Sequence, residues 1–258
     1  MNGHETAAEN LINNMGFNVT LETKYRVQRD TAIGDERLVL SDTFGLKVGH
    51  VLNIGADTVE IASIDRDSLI VDLTGPLSEE HLTGAYLQKI VNTKATSPKA
   101  RSSNKDLFEL TRSIRIAKDH IVNYGSIVTR DGDSFFVTGF NDSDLTYLLK
   151  IHLTNRRLSL QRYQDGPFNG FGYDKEWHTL YTGVPAYSEH ISSRMDLQES
   201  GYNASTYQVI TMPEVYAEDL LLTDRILVGQ FDKFKIIGFD RMKLRNLLTV
   251  IVDYDEDR

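Results

Sequence analysis

Seven histidines, 37 acidic residues and no cysteine are the raw material for chemistry in this 258-residue chain. The histidines stand at His4, His50, His81, His120, His152, His178 and His190. None has a histidine partner three or four residues away, and no HExxH occurs, so a helical metal pair is missing. His178 and His190 share a segment with Asp174, Glu176 and Glu189, either as a metal site assembled by folding or as exposed polar residues. His120, beside Asp119, is expected at the surface. No GxSxG elbow is present, and the serines of "YSEHISS" fit no nucleophile frame. "GFNDSD" and "GPFNGFG" match neither a P-loop nor a dinucleotide fingerprint. "LSEEHL" and "DYDEDR" look like solvated faces rather than the paired carboxylates of glycoside chemistry. The lack of cysteine removes disulfides, thiol catalysis, iron–sulfur clusters and cysteine-based zinc sites. The expectation is a protein that is not an enzyme and holds no cofactor and no metal.

Features suited to contact are more evident. Residues 92–105, "NTKATSPKARSSNK", carry Lys94, Lys99, Arg101 and Lys105 without an acid. They form either a solvated loop or a strip that lies on nucleic acid or an acidic protein surface. Phe168, Phe171, Tyr173, Trp177 and Tyr181 crowd a Gly-rich stretch, either as a docking patch or as rings capping a core below. The net charge of −9 argues against broad binding of nucleic acid through its phosphates. Asp253, Asp255, Glu256 and Asp257 give the chain an acidic end. The longest apolar runs are too short for a membrane span, and the first residues lack a signal-peptide pattern, so synthesis and residence in a cytosol are expected.

The elements that position these residues are mostly strands. Leu11, Ile12 and Met15 share a face of a short first helix that Gly16 stops. "VTLETKYRV" and "ERLVLS" then alternate as strands. Val51 to Ile54, Val59 to Ile64 and Leu69 to Leu73 form a three-stranded meander with tight turns. In "DLFELTRSIRIAKDHIVNYG", Leu107, Leu110, Ile114, Ala117 and Ile121 recur at spacings of three and four, which predicts one prominent amphipathic helix ended by Gly125.

A repeat organises the rest. "FFVTGFNDSDLTYLLKI" and "FKIIGFDRMKLRNLLTV" place Gly139, Phe140, Leu145, Leu148 and Leu149 against Gly238, Phe239, Leu244, Leu247 and Leu248, each pair 99 residues apart. Leu145, Tyr147, Leu149, Ile151 and Leu153 alternate along one face of a strand, with Leu248, Val250 and Val252 in the same phase. Gly139 and Gly238 mark a bulge or bend, and Phe140 and Phe239 are expected to plug a core just past it. Val59, Ile61, Ser63-Ile64 and Asp65 fit the same frame, as a related third module or as the ordinary alternation of β proteins.

The predicted fold is therefore mainly β (α+β), with tandem small antiparallel barrel or meander modules and the one helix. Its segments are an N-terminal β module (1–91), a basic linker or loop (92–105), the helix plus first repeated meander (106–165), an aromatic, Gly-rich elaborated loop (166–220), and the second meander with its acidic tail (221–258).

The stretch "VGHVLNIGADTVEIASIDRDSLIVDLTGPLSEEHLTGAYL", with its closure through Pro76-Leu77, His81 and Gly84-Ala85, resembles a β module of tailed-bacteriophage structural proteins. The end of the chain, "LLLTDRILVGQFDKFKIIGFDRMKLRNLLTVIVDYDED", is similar to barrels of phage neck, head-to-tail connector and head-closure proteins. The resemblance implies a virion structural protein made in the host cytoplasm, a ring subunit joining capsid portal and tail. Implied neighbours are portal or connector, tail terminator or tail tube, and sheath or baseplate proteins, with passive contact to DNA passing through the channel and none to membrane. A baseplate or tail-end protein, and a receptor- or glycan-binding tail module using the aromatic segment, are the alternatives.

Overall fold

A computed structural model describes residues 12, 16–97, 111–142, 146–168, 170–190, 208–229 and 232–255. The chain forms two compact units, Met1–His152 and Leu153–Arg258.

The first unit begins with β1 (Phe17–Arg26), β2 (Arg37–Val39), β3 (Val51–Ile54), β4 (Asp57–Asp65), β5 (Ile70–Leu73) and β6 (Tyr86–Ala95). It continues with β7 (Thr111–Ala117), β8 (Ile127–Arg130), β9 (Asp133–Asp142) and β10 (Thr146–Leu153). These make one sheet in the order β2-β5-β4-β3-β6-β1-β8-β9-β10-β7. Two bridges fold that order back on itself. Val27 meets Leu40 just past β1 and β2, with Gln28 N–H donating to Val39 O and Ser41 N–H to Arg26 O, both at 2.8 Å. Thr96, just past β6, and Arg115 in β7 exchange backbone hydrogen bonds of 2.9 and 2.7 Å. The sheet thus closes into two six-stranded rings, β6-β1-β2-β5-β4-β3 and β6-β1-β8-β9-β10-β7, which share the paired strands β1 and β6.

Alternation explains why these segments are strands. In β1 the side chains of Val19, Leu21, Thr23 and Tyr25 point inward and are buried. The long ladder to β6, from Phe17↔Ala95 to Arg26↔Tyr86, feeds the far end of that face into the first ring. There Tyr25, Leu38, Leu52, Ile54, Ile61 and Leu87 belong to one core. Each fully buried aliphatic side chain contributes roughly 1.5–3 kcal/mol. The β8–β9 turn is built on Asp131 (φ 51°) and Gly132 (φ 92°), two consecutive left-handed residues of the type I′ hairpin that suits twisted strands.

The second unit is a closed barrel in the order β11-β12-β13-β16-β15-β14. Its strands are β11 (Arg156–Phe168), β12 (Tyr173–His190), β13 (Gln208–Pro213), β14 (Arg225–Val228), β15 (Asp232–Leu244) and β16 (Leu247–Tyr254). Leu160, Ile210, Met212, Ile226, Leu248 and Val250, all fully buried, fill it.

The barrel has the same connectivity as the second ring of the first unit. In both, the first two strands pair, the third joins the second, and a three-stranded meander runs from the first strand back to the third. β1, β6, β7, β8, β9 and β10 correspond to β11 to β16, with β2–β5 inserted between the first two. The first ring obeys the same order if β6 is taken as its first strand and β1 as its second. Three copies of one topology thus underlie the repeat at 99 residues and its fainter echo near Val59.

Two expectations fail. The amphipathic helix is not there: Thr111–Ala117 is β7, paired with β10 from Thr111↔His152 to Ala117↔Thr146, and its Ile114 and Ile116 are buried two residues apart. β-branched Thr111, Ile114 and Ile116 suit a pleated surface, and pairing to β10 supplies their partners, so tertiary context overrides the three-and-four spacing. Leu107 and Leu110 lie outside the described residues. In the stretch 166–220, "STYQVITM" is expected as strand and the rest as an elaborated loop. β13 supplies that strand from Gln208, a 3-10 turn follows at Glu214–Tyr216, and β12 replaces the expected loop over Tyr173–His190, while residues 169 and 191–207 lie outside the described residues. Of the short first helix, Ile12 is helical and buried, and Gly16 N–H donates to its carbonyl at 2.8 Å, while Leu11 and Met15 are not described.

Candidate functional site

The repeated residues occupy equivalent places in the fold. Phe135 and Phe234 are buried, as are Val137 and Ile236, and Leu149 and Leu248 are both fully shielded. Pairing slips between Ile236 and Gly238 in β15, a bulge, and slips at the same step between Ile61 and Ser63 in β4. Neither Gly139 nor Gly238 needs positive φ, and a Cβ would meet nothing nearer than Lys150 Cδ at 3.6 Å or Ile251 Cδ1 at 3.9 Å. Ser63 takes the position in the third copy, so glycine is not required there. Phe140 and Phe239 are half-buried rather than plugs: Phe140 packs edge-on with Phe44 at 5.2 Å and beside Tyr124 at 5.6 Å, and Phe239 lies against the barrel core. Leu244 pairs with Leu247 at the β15–β16 turn, and Leu145 is outside the described residues.

The aromatic cluster sits on a long hairpin. β14 covers β11 only over Leu158–Gln161, and β13 covers β12 only over Tyr187–His190. Between these points and the tip, β11 and β12 pair with each other from Arg162↔His178 to Phe168↔Tyr173. Seven residues at about 3.3 Å each carry the ribbon roughly 23 Å past Gln161. Among the described residues no third strand joins it. Phe171 at the tip is fully exposed and Tyr173 is 63 % exposed. Trp177 is half-buried, its ring 5.1 Å from that of Tyr163 and 3.9 Å beneath the Arg225 guanidinium, which donates to Gln161 Oε1 at 2.8 Å. None of Phe171, Tyr173 and Trp177 belongs to the barrel core. At the ribbon's base Arg162 grips Asp224 with two hydrogen bonds of 2.9 and 2.8 Å and reaches Asp219 O at 2.6 Å. Asp224 is wholly buried, and its carboxylate also accepts from Leu221 N–H at 2.8 Å. The bond to this carboxylate holds the Arg162 guanidinium above its ordinary pKa.

Of the basic strip's cations only Lys94 is described, half-buried opposite Asn18 in β6, which makes residues 92–95 strand rather than the expected loop; Lys99, Arg101 and Lys105 lie outside the described residues. The end of the second ring that Lys94 adjoins has a small cavity of about 60 Å³ lined by Phe17, Phe135, Ser97, Arg112 and Arg130. Arg130 lies 3.9 Å above the Phe17 ring and Arg112 lies 5.6 Å from that of Phe135. Sequence reasoning missed both arginines, because single cations in strands have no spacing signature. The available signal was register: Arg112 precedes Ile114 and Ile116, and Arg130 follows Val128, each on the inward parity.

One cluster has the composition of a catalytic triad without its geometry. Asp57 accepts from Ser78 Oγ, from Ser78 N–H at 3.1 Å and from Glu79 N–H at 3.2 Å, and His81 Nε2 lies 3.0 Å away. The bond from Ser78 and then the one from His81 push its carboxyl down to about 2. Serine and histidine both face the carboxylate, so neither activates the other. The cluster fastens the 78–81 strap to the β3–β4 hairpin, and Thr31 bridges to His81 from the other side. His178 Nε2 lies 3.3 Å from Glu176, and among the described residues no three potential ligands converge on a metal position. His120 departs from its expected surface place: it is largely shielded, with Nε2 2.7 Å from Thr93 Oγ1. No helix among the described residues is long and apolar enough to cross a membrane.

Comparison of the chain with protein-family models and with curated proteins returns no match in either case.

Proposed function

We propose that this chain is a ring-forming structural subunit of a tailed-phage particle, placed at the neck as a head-to-tail connector. The observation that carries the proposal is the β11–β12 ribbon. It stands about 23 Å beyond its barrel, clamped at its root by Arg162 and Asp224 and tipped by exposed Phe171 and Tyr173. A ribbon of that kind, on a barrel with a filled core, is suited to holding a neighbour rather than a substrate, since aromatic anchors dominate protein interfaces. Closed rings lend rigidity and leave few free edges, as repeated ring contacts demand.

Sedimentation of the purified chain over a range of concentrations tests this, alone and with Phe171→Ala/Tyr173→Ala. Assembly of the native chain, lost in the variant at unchanged Tm, is the expected result. A chain that stays monomeric, and that immunogold labelling fails to find on phage particles, overturns the proposal. Gold at the tail tip instead of the neck moves the subunit to the baseplate. The Tyr163–Trp177 pair, tilted at 40° on one face of the ribbon, favours a second function, glycan capture on these rings, which a glycan array resolves.

A further inference from the structure

We propose that the cationic mouth of the second ring, Arg112 and Arg130, docks an acidic peptide segment, namely residues 253–258 of a second copy of this chain. The inference rests on the oligomeric function proposed above.

The fold itself does not ask for these arginines. With Leu149 matched to Leu248 and Phe135 to Phe234, strand pairing gives each arginine a counterpart in the second unit. Ile151↔Arg112 matches Val250↔Ile210, and Val128, two residues before Arg130, matches Ile226, two before Val228. The barrel places Ile210, fully buried, and Val228, half-buried, where the second ring places guanidinium groups. The same layer is therefore built from aliphatic side chains in one copy and from cations in the other. Arg130 Cζ lies 3.9 Å from the centre of the Phe17 ring and Arg112 Cζ 5.6 Å from that of Phe135, both within cation–π range of the guanidinium groups. Their N–H bonds lie in the plane, the geometry that takes a carboxylate in bidentate fashion. Arg130 Nε already binds a carboxylate, that of neighbouring Asp131, at 3.0 Å. Lys94 and Arg130 line an adjoining groove with Thr20, Asn92, Thr129 and Asp131, so the mouth continues into an open surface groove.

Charge complementarity names the occupant. Asp253, Asp255, Glu256 and Asp257 follow one another within five residues at the end of β16, in a chain whose net charge is −9. Asp255 N–H still bonds Lys233 O at 2.9 Å, so the acidic run begins within the barrel's own strand pairing. A nucleic acid fits less well, because its affinity rests on many neutralised phosphates and the chain carries a net charge of −9.

The test titrates a fluorescent DYDEDR peptide with the intact chain, with Arg112→Ile/Arg130→Val, and with the chain shortened to end at residue 252. The double variant borrows the second unit's own residues, which preserves the ring while removing the charge. Saturable binding that weakens at least tenfold in the double variant and in 0.5 M salt is expected, together with loss of assembly by the shortened chain. Equal binding by the double variant, or tighter binding of a single-stranded oligonucleotide than of the peptide, overturns the inference. If native chain assembles while the peptide does not bind, docking fails and the ring subunit stands. If the peptide binds but no assembly forms, the ring function fails instead.

Discussion

The root of the ribbon offers the sharpest energetic test. In Asp224→Ala the Arg162 guanidinium loses a bidentate partner that is wholly buried, and Leu221 N–H loses its acceptor at 2.8 Å. Removing one member of a buried ion pair costs about 3–5 kcal/mol. Arg162 keeps 26 % of its exposure, so water recovers part of its solvation and the lower end of that range applies. The orphaned amide adds about 1 kcal/mol, for a total near 4 kcal/mol. With a urea slope of about 2 kcal/mol/M the unfolding midpoint falls by about 2 M. Trp177 is the only tryptophan, and Arg225, which stacks on it, directly follows Asp224. Its fluorescence therefore reports unfolding of the second unit alone. Arg162→Met in the Asp224→Ala background removes the stranded charge and recovers at least about 1 kcal/mol, a coupling that a double-mutant cycle reads directly. A midpoint shift below about 0.3 M, or no recovery in the double variant, would show that the pair does not brace the ribbon.

Leu149→Ala and Leu248→Ala, fully buried counterparts in the two units, each cost about 2–5 kcal/mol, but only Leu248→Ala shifts the Trp177 transition; a shift from Leu149→Ala contradicts separate units. Asp57 makes the first unit acid-sensitive. Its carboxyl is lowered from 3.8 to about 2 in the folded chain, so the stability it adds is complete above about pH 4 and lost as pH falls toward 2. Asp57→Asn flattens that acid limb in circular-dichroism melts, and an unchanged limb removes the strap its role. Gly132→Val, at φ 92°, weakens the β8–β9 hairpin by about 1–2 kcal/mol in chemical denaturation followed by circular dichroism, whereas Gly139→Ala stays within about 0.5 kcal/mol; equal costs contradict the assignment of strain to the turn alone.

The meanders were legible because one face of each strand is buried and the turns carry their own chemistry. Val51–Ile54 and the Leu248, Val250, Val252 series follow alternation, and Gly55 turns the first of them into a hairpin. β7 was not legible. Leu107, Leu110 and Ile114 imitate a helical stripe, and only pairing with a strand more than thirty residues later in the chain decides between periods. The ribbon escaped for the opposite reason. Gln164, Asp165, Lys175 and Glu176 are exposed on both faces, so no apolar alternation betrays them as strand. The aromatic segment was found by composition alone, while Arg112 and Arg130 became visible only once register put them on the inward side.

That β1 and β6 serve two rings at once bears on how the chain acquires its shape. Phe168 and Tyr173 are five residues apart, so the second unit can zip up from a local hairpin. Phe17 and Ala95 are 78 residues apart, and the strands between them must condense first. Local hairpins such as Ile54↔Asp57 and Arg130↔Asp133 zip early in the first unit too, but closing its two rings waits on this distant ladder and its higher entropic barrier. The first unit should therefore mature later than the second, even though its residues leave the ribosome first.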